Sequence, residues 1–172
     1  LFNSRIKDID FRWDRALNFD GETGPYVQYT YARCCSVLRK AGIQNAECEM
    51  QNAELETRNG SSQETNDAQE AQRSALATPD YAALTDDEAM ALIKLLALFP
   101  EAVRDAALRS EPCVLTRATT EIAKAYNKFY YEHRILTQDA GESAARLALT
   151  CAVKEVIGRG LYLIGLEAPE QM

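Results

Sequence analysis

Apolar residues recur along most of the chain at helical spacing, and no stretch alternates convincingly as a strand would. The pattern predicts a short helix over 10–19, followed by a loop that contains two glycines. A longer helix is predicted over 25–41, because Pro25 suits a first helical turn and Gly42 can end the helix. The first part of the chain is therefore expected to be helical.

The next predicted helix begins where Thr85 and Glu88 have the spacing of a capping box. Apolar residues then continue at helical spacing as far as Pro100. Because proline disrupts the interior of a helix, we expect this helix to break there and another to run over 100–108.

Two longer helices are predicted in the remainder of the chain. One starts at Pro112, and the other follows Gly141 and closes at Gly158 and Gly160. Their apolar stripes are Leu115, Thr119, Ile122, Tyr126, Phe129, Tyr130 and His133, and then Ala145, Leu149, Ala152, Val153, Val156 and Ile157. Four to six helices with short connections predict an all-α fold, a helical bundle.

Composition divides this single predicted domain of 172 residues into three parts. Residues 43–90 contain 11 acidic and two basic residues, a charge of −9, whereas the remainder of the chain is mildly basic at +2, which gives the net charge of −7. We predict N-terminal helices and a loop over 1–42, an acidic polar insertion over 43–84, and the bundle core over 85–172. The polar stretch is either a solvated spacer or a weakly packed helical excursion.

Several classes of site are disfavoured by the sequence. Five cysteines without CxxC spacing favour a reducing compartment over a disulfide framework, and a single histidine disfavours a metal site. The glycines at 21 and 24 lack the lysine of a phosphate-binding loop. No apolar run is long enough for a membrane span, and no catalytic constellation is present. Because the first residue is leucine, we expect the chain to belong to a longer protein.

Tyrosines and cations share faces of two predicted helices. On the first, Tyr26, Tyr29 and Arg33 form one face, and a second face carries Val27, Tyr31, Cys34 and Leu38. We infer that one face packs and the other recognises a ligand, although packing of every tyrosine is an equal alternative. On the longest helix, Asn127, Tyr130 and Arg134 combine an amide, a ring and a guanidinium. This combination suits unstacked RNA bases.

Five blocks of the sequence resemble the anticodon-binding domain of arginyl-tRNA synthetases. They occur in the family's order and comprise residues 11–33, 98–101 with 111–112, 125–130, 145–149 and 163–172. Only residues 43–80 match poorly, and the chain departs from many members at Cys113 and at 118–120.

The resemblance implies an all-helical, DALR-type domain of the class I aminoacyl-tRNA synthetases. Its partners would be the anticodon stem-loop of arginine tRNA and its own catalytic domain, with neither a membrane nor DNA. The parent would be a cytoplasmic ligase that uses ATP and Mg²⁺ to attach arginine to tRNA. The fragment itself would bind no cofactor or metal and would catalyse nothing.

The resemblance also implies roles for particular residues. Tyr130 would lie against an anticodon base, Arg134 would make a contact that some members have, and Met172 would close on the anticodon. The loop with Asp20, Gly21 and Glu22 would touch the tRNA. Tyr26, Gln28, Tyr29 and Arg33 would either contact RNA or support the site. The alternatives are a helical protein-interaction module or the anticodon domain of a related class I synthetase.

Overall fold

The computed structural model describes Trp13 and residues 23–43, 79–137 and 139–172. Its helices are α1 (Gly24–Lys40), α2 (Asp87–Arg109), α3 (Pro112–Glu132) and α4 (Ala140–Leu163), with a 3-10 turn at Tyr81–Ala83 before α2. These ranges contain no strand, and the prediction of an all-α fold is confirmed. Apart from Trp13, the predicted helix over 10–19 lies outside the described residues, as does most of the acidic insertion, so the division into three parts stays a prediction.

Helix α1 begins and ends where the sequence predicts. Pro25 occupies its first turn, where the missing N–H is harmless. Arg39 and Lys40 lie in the last turn, where positive charge suits the helix dipole. Gly42 then adopts a φ of 77°, and the Ile43 N–H donates to the Leu38 carbonyl at 2.9 Å. This left-handed turn closes the helix in the way that favours glycine.

The predicted break at Pro100 is wrong, because α2 continues through it to Arg109. A proline removes one helical hydrogen bond, here the bond to the Leu96 carbonyl, and this loss is the local cost of Pro100. Phe99 and Ala106 are buried on either side of the proline. The packing of both halves of α2 thus offsets the local cost.

The predicted capping box is also absent. Asp86, one residue after Thr85, is the N-cap, and its side chain makes no capping bond. Its carboxylate instead accepts a hydrogen bond at 3.2 Å from Arg146 of α4. A tertiary contact has therefore replaced the local one.

The core lies where α2 packs on α3 and where α4 packs on both α1 and α3. Its largest fully buried side chains include Tyr126 and Phe129 from α3 and Ile157 and Leu161 from α4. Gly160 allows a close crossing, since a Cβ placed there would lie 2.5 Å from the Thr119 hydroxyl oxygen. Small residues at this point thus set the distance between α3 and α4.

Arg146 anchors the connection that follows α3. Its guanidinium donates to the Arg134 carbonyl at 2.6 Å and forms ion pairs with Asp86 and Glu142 at 3.2 and 2.8 Å. A buried guanidinium needs such partners. This arrangement holds the backbone at Arg134 against the starts of α2 and α4.

The cysteines of the described segments are structural rather than reactive. Cys34, Cys35 and Cys113 are free and buried, and burial raises the pKa of the Cys34 thiol to about 12. Cys151 is disulfide-bonded, which does not fit the reducing compartment that the cysteine spacing favoured. No helix within these segments is sufficiently long and apolar to cross a membrane.

Candidate nucleic-acid interface

The two faces of α1 differ in exposure, since one packs in the core and the other is open to solvent. Val27, Cys34 and Leu38 are buried in the core, while Tyr29 on the other face is 48 % exposed. The open face of α1 lies beside the last turns of α3, where Tyr130 is 37 % exposed. Side chains predicted separately on two helices therefore meet at one surface.

Arg33 lies at the centre of this surface, between two tyrosine rings. Its guanidinium carbon is 4.9 Å from the centre of the Tyr29 ring and 5.2 Å from that of Tyr130. One guanidinium nitrogen also donates to the side-chain oxygen of Asn127 at 2.7 Å. Cation–π contacts with two rings and a hydrogen bond thus orient a single cation among aromatic side chains.

Asn127 uses its whole amide to hold this arrangement. Its nitrogen donates to the hydroxyl oxygens of Tyr26 and Thr30, each at 2.9 Å, and its oxygen accepts from Arg33. The Thr30 hydroxyl donates in turn to the Tyr26 carbonyl at 3.0 Å. Because both amide hydrogens and the oxygen are engaged, Asn127 supports the site in this structure and presents no free donor to a base.

Residues 164–172 follow α4 and bring Met172 to the surface where α1 meets the end of α3. The Gln28 amide donates to the Glu167 carbonyl at 2.8 Å, so this predicted contact residue bonds to the chain itself. Met172 is 60 % exposed and borders the same cavity as Tyr29, Arg33 and Tyr130. We call residues 164–172 the tail, and the surface that it completes the tyrosine cavity.

The tyrosine cavity has a volume of about 860 Å³ and walls that are mainly apolar. It is lined by Tyr26, Tyr29, Arg33, Asn127, Tyr130, Tyr131 and Met172. Two smaller hollows of about 400 and 370 Å³ adjoin it, and Tyr130 borders all three. The Tyr130 side chain is thus shared by three neighbouring concave sites.

The structure places six of the predicted residues around this one cavity, namely Tyr26, Tyr29, Arg33, Asn127, Tyr130 and Met172. Arg134 lies across Tyr130, in the smallest hollow, together with Lys40. Gln28 lies outside the lining of these three concavities. The predicted loop residues Asp20, Gly21 and Glu22 fall outside the described residues.

Cationic side chains border the two hollows that adjoin the tyrosine cavity. Arg39 and Lys40 border the 400 Å³ hollow, and Lys40 also borders the hollow that holds Arg134. Lys40 was not among the predicted contact residues, although its position in the last turn of α1 was a signal. Tyr131 was also missed as a lining residue, because helix periodicity alone does not show which of two adjacent tyrosines meets α1.

A second polar cluster lies at the end of α3, and two of its members, Glu132 and His133, border the same 370 Å³ hollow as Tyr130. The His133 ring nitrogens lie 3.6 Å from Asp86 and 3.3 Å from Glu88, and the Lys128 ammonium lies 3.2 Å from Glu88. Glu88, Glu132 and His133 bring potential metal ligands together, a grouping that the sequence did not indicate. The bonds to Lys128 and His133 already engage Glu88, and they tie the end of α3 to α2.

The helical fold is that of an anticodon-binding domain. The family model described as the DALR anticodon binding domain matches residues 27–172, and the chain belongs to this family.

The chain is also similar to arginine–tRNA ligases, which are longer than the chain. The chain is 44 % identical over 175 residues to an arginine–tRNA ligase of Alkaliphilus metalliredigens and 41 % identical over 172 residues to one of Halothermothrix orenii. Each match covers 100 % of the chain and 25 % of the relative, so the chain spans about a quarter of their length. The Thermus thermophilus arginyl-tRNA synthetase structure matches with a TM-score of 0.70 and 34 % identity, over 96 % of the chain and 24 % of that structure. The resemblance to arginyl-tRNA synthetases is confirmed.

Proposed function

We propose that this chain recognises the anticodon loop of an arginine tRNA as one domain of an arginine–tRNA ligase. The observation that carries the proposal is the meeting of Tyr130 and Met172 at one open, mainly apolar cavity with Arg33 inside it. An anticodon loop presents unpaired bases, which proteins recognise by stacking on rings and by bonding to base edges.

The side chains around the cavity suit such a ligand. Tyr29 and Tyr130 present partly exposed rings, and Arg33 presents a guanidinium with hydrogen-bond donors beyond the one given to Asn127. Lys40 and Arg134, in the hollow on the other side of Tyr130, add positive charge for the phosphates on either side of a stacked base. The proposed site therefore extends over more than one nucleotide.

The parent protein is part of the same proposal. We propose that it attaches arginine to tRNA with ATP and Mg²⁺, and that these cofactors bind to a catalytic domain beyond this chain. The named relatives, four times longer than the matched region, support this division. Protein synthesis would place the enzyme in the cytoplasm.

The proposal is tested by titrating the chain, at low salt, with three RNA stem-loops. One carries the arginine anticodon, one differs from it only in the anticodon bases, and one comes from an unrelated tRNA. Binding that follows the anticodon supports the proposal. Equal affinity for all three would contradict anticodon recognition, and indifference to RNA would favour a protein-binding surface.

Tyr130→Ala tests the cavity itself. A base stacked on an aromatic ring contributes about 1–3 kcal/mol, so we expect affinity for the arginine stem-loop to fall by about 5- to 150-fold. Tyr162→Ala is the matched control, because Tyr162 is 77 % exposed on α4 and does not border the tyrosine cavity. Equal binding by the Tyr130→Ala chain and the wild type would remove Tyr130 from the site.

A further inference from the structure

The tail reaches the tyrosine cavity by turning back onto α1. Gly165 adopts a φ of 78°, and the Leu166 N–H donates to the Leu161 carbonyl at 2.9 Å, which ends α4. Leu166 then packs on the start of α1, where a Cβ placed on Gly24 would lie 3.2 Å from a Leu166 methyl carbon. The contacts of the tail with α1 therefore begin at the N-terminal end of that helix.

Two side chains of α1 bond to the tail beyond this point, within the described part of the chain. Gln28 donates to the Glu167 carbonyl at 2.8 Å. Arg39 donates to the Glu170 carbonyl at 3.5 Å, which is long for such a bond. The tail thus follows α1 from its first turn toward its last, and Gln28 makes the better of these two bonds.

The rest of the tail has few other anchors. Ile164 and Ala168 pack partly against the core, but Glu167, Glu170, Gln171 and Met172 are exposed. Few buried contacts and a solvent-exposed backbone are the marks of a segment with low local stability. A single good hydrogen bond therefore has a large share in holding Met172 at the tyrosine cavity.

We propose that Gln28 is a positioning residue that docks the tail on α1 and so keeps Met172 as a wall of the tyrosine cavity. Its amide lies outside the cavity lining and acts on the ligand only through the tail. The effect on RNA rests on the function proposed above, whereas the docking of the tail does not. A hydrogen bond of this kind changes the ratio of docked to undocked tail by about 2- to 10-fold.

Docking is measured without RNA by NMR of chains labelled with ¹³C at the methionine methyl groups. The chain has three methionines, and Met172→Leu assigns the Met172 signal. This methyl group borders the same cavity as the rings of Tyr29 and Tyr130, so ring currents displace its chemical shift from the value in denaturant. The shift therefore reports the docked fraction of the tail.

Two substitutions remove the donor from Gln28. Gln28→Glu retains the shape but cannot donate as a carboxylate, and Gln28→Met also lacks a donor and adds no charge. Because a new methionine adds a signal of its own, each such variant is compared with the same chain carrying Met172→Leu, which identifies the Met172 signal. We expect both to move the Met172 signal toward its position in denaturant, while Lys94→Met on the exposed surface of α2 leaves it in place. An unchanged signal in both Gln28 variants would overturn the proposal.

A double-mutant cycle then tests how Gln28 affects RNA. We expect Gln28→Met to weaken binding of the arginine stem-loop by about 2- to 10-fold, and to have no further effect in a chain that already carries Met172→Ala. Independent, additive losses would show that Gln28 contacts RNA directly and would overturn the positioning role. If the wild type binds no RNA, the proposed function fails, while the NMR result still decides the docking.

Discussion

Asn127→Ala is the substitution that most directly tests how the tyrosine cavity is built. It removes three hydrogen bonds at once, two donated to the hydroxyls of Tyr26 and Thr30 and one accepted from Arg33. All three join α3 to α1, between residues 94 to 101 positions apart in the chain. The substitution therefore weakens a tertiary contact and leaves the hydrogen bonds of α3 intact.

The size of the effect follows from the kinds of bond that are lost. Each bond to a hydroxyl contributes about 0.5–1.5 kcal/mol, and the bond from the guanidinium about 1.5–3 kcal/mol. Arg33 borders an open cavity, so water can replace part of what the guanidinium loses. We expect Asn127→Ala to lower the free energy of unfolding by about 2–4 kcal/mol.

Asn127→Asp tests the bond from Arg33 separately from the two bonds to the hydroxyls of Tyr26 and Thr30. The carboxylate still accepts from Arg33 and gains an opposite charge, and the Tyr26 hydroxyl can turn to donate to it. We expect its loss of stability to be less than half that of the alanine variant. Urea unfolding of both variants, with Glu121→Ala as an exposed control on α3, measures the difference.

Two results would refute this reasoning. One is an Asn127→Ala chain within about 0.5 kcal/mol of the wild type, which is the range of ordinary surface substitutions. The other is an aspartate variant as unstable as the alanine variant. Either result would mean that Asn127 does not hold Arg33 and α1 in place, and its amide would again be available to contact a ligand.

Two further outcomes concern the scaffold. Hydrogen bonds to its own backbone N–H, His133 and Lys128 lower the pKa of Glu88 from 4.5 to about 2. The contribution of Glu88 to stability is therefore complete above about pH 4.5 and is lost as the pH falls toward 2. The difference in stability between the wild type and Glu88→Gln should shrink over that pH range. A difference that stays constant in urea unfolding at each pH would contradict this expectation. Gly160→Ala should destabilise the chain by about 1–3 kcal/mol despite better helix propensity, because its Cβ meets Thr119. Thermal unfolding should show partial recovery on adding Thr119→Ala, and no loss in the single variant would indicate a looser crossing.

Sequence periodicity was sufficient for most of the helices because the signals are local. Pro25, Gly42 and Pro112 mark helix ends through backbone geometry that depends on a few neighbouring residues. The helix was wrongly predicted to break at Pro100, because the burial of Phe99 and Ala106 outweighed the tendency of proline to interrupt a helix. Residue spacing also assigned Tyr29 and Val27 to opposite faces of α1, although it did not show which face would pack.

The sequence by itself determined the helical class, the family resemblance and the set of side chains suited to RNA. Only the tertiary structure decided what each side chain contacts. Asn127 bonds to Arg33, and Gln28, which lies 139 positions before Glu167, donates to the Glu167 carbonyl of the tail. Spacing along a helix specifies which face a residue occupies, but its partner depends on how α1, α3 and the tail pack together, and that packing is set by the buried core as a whole.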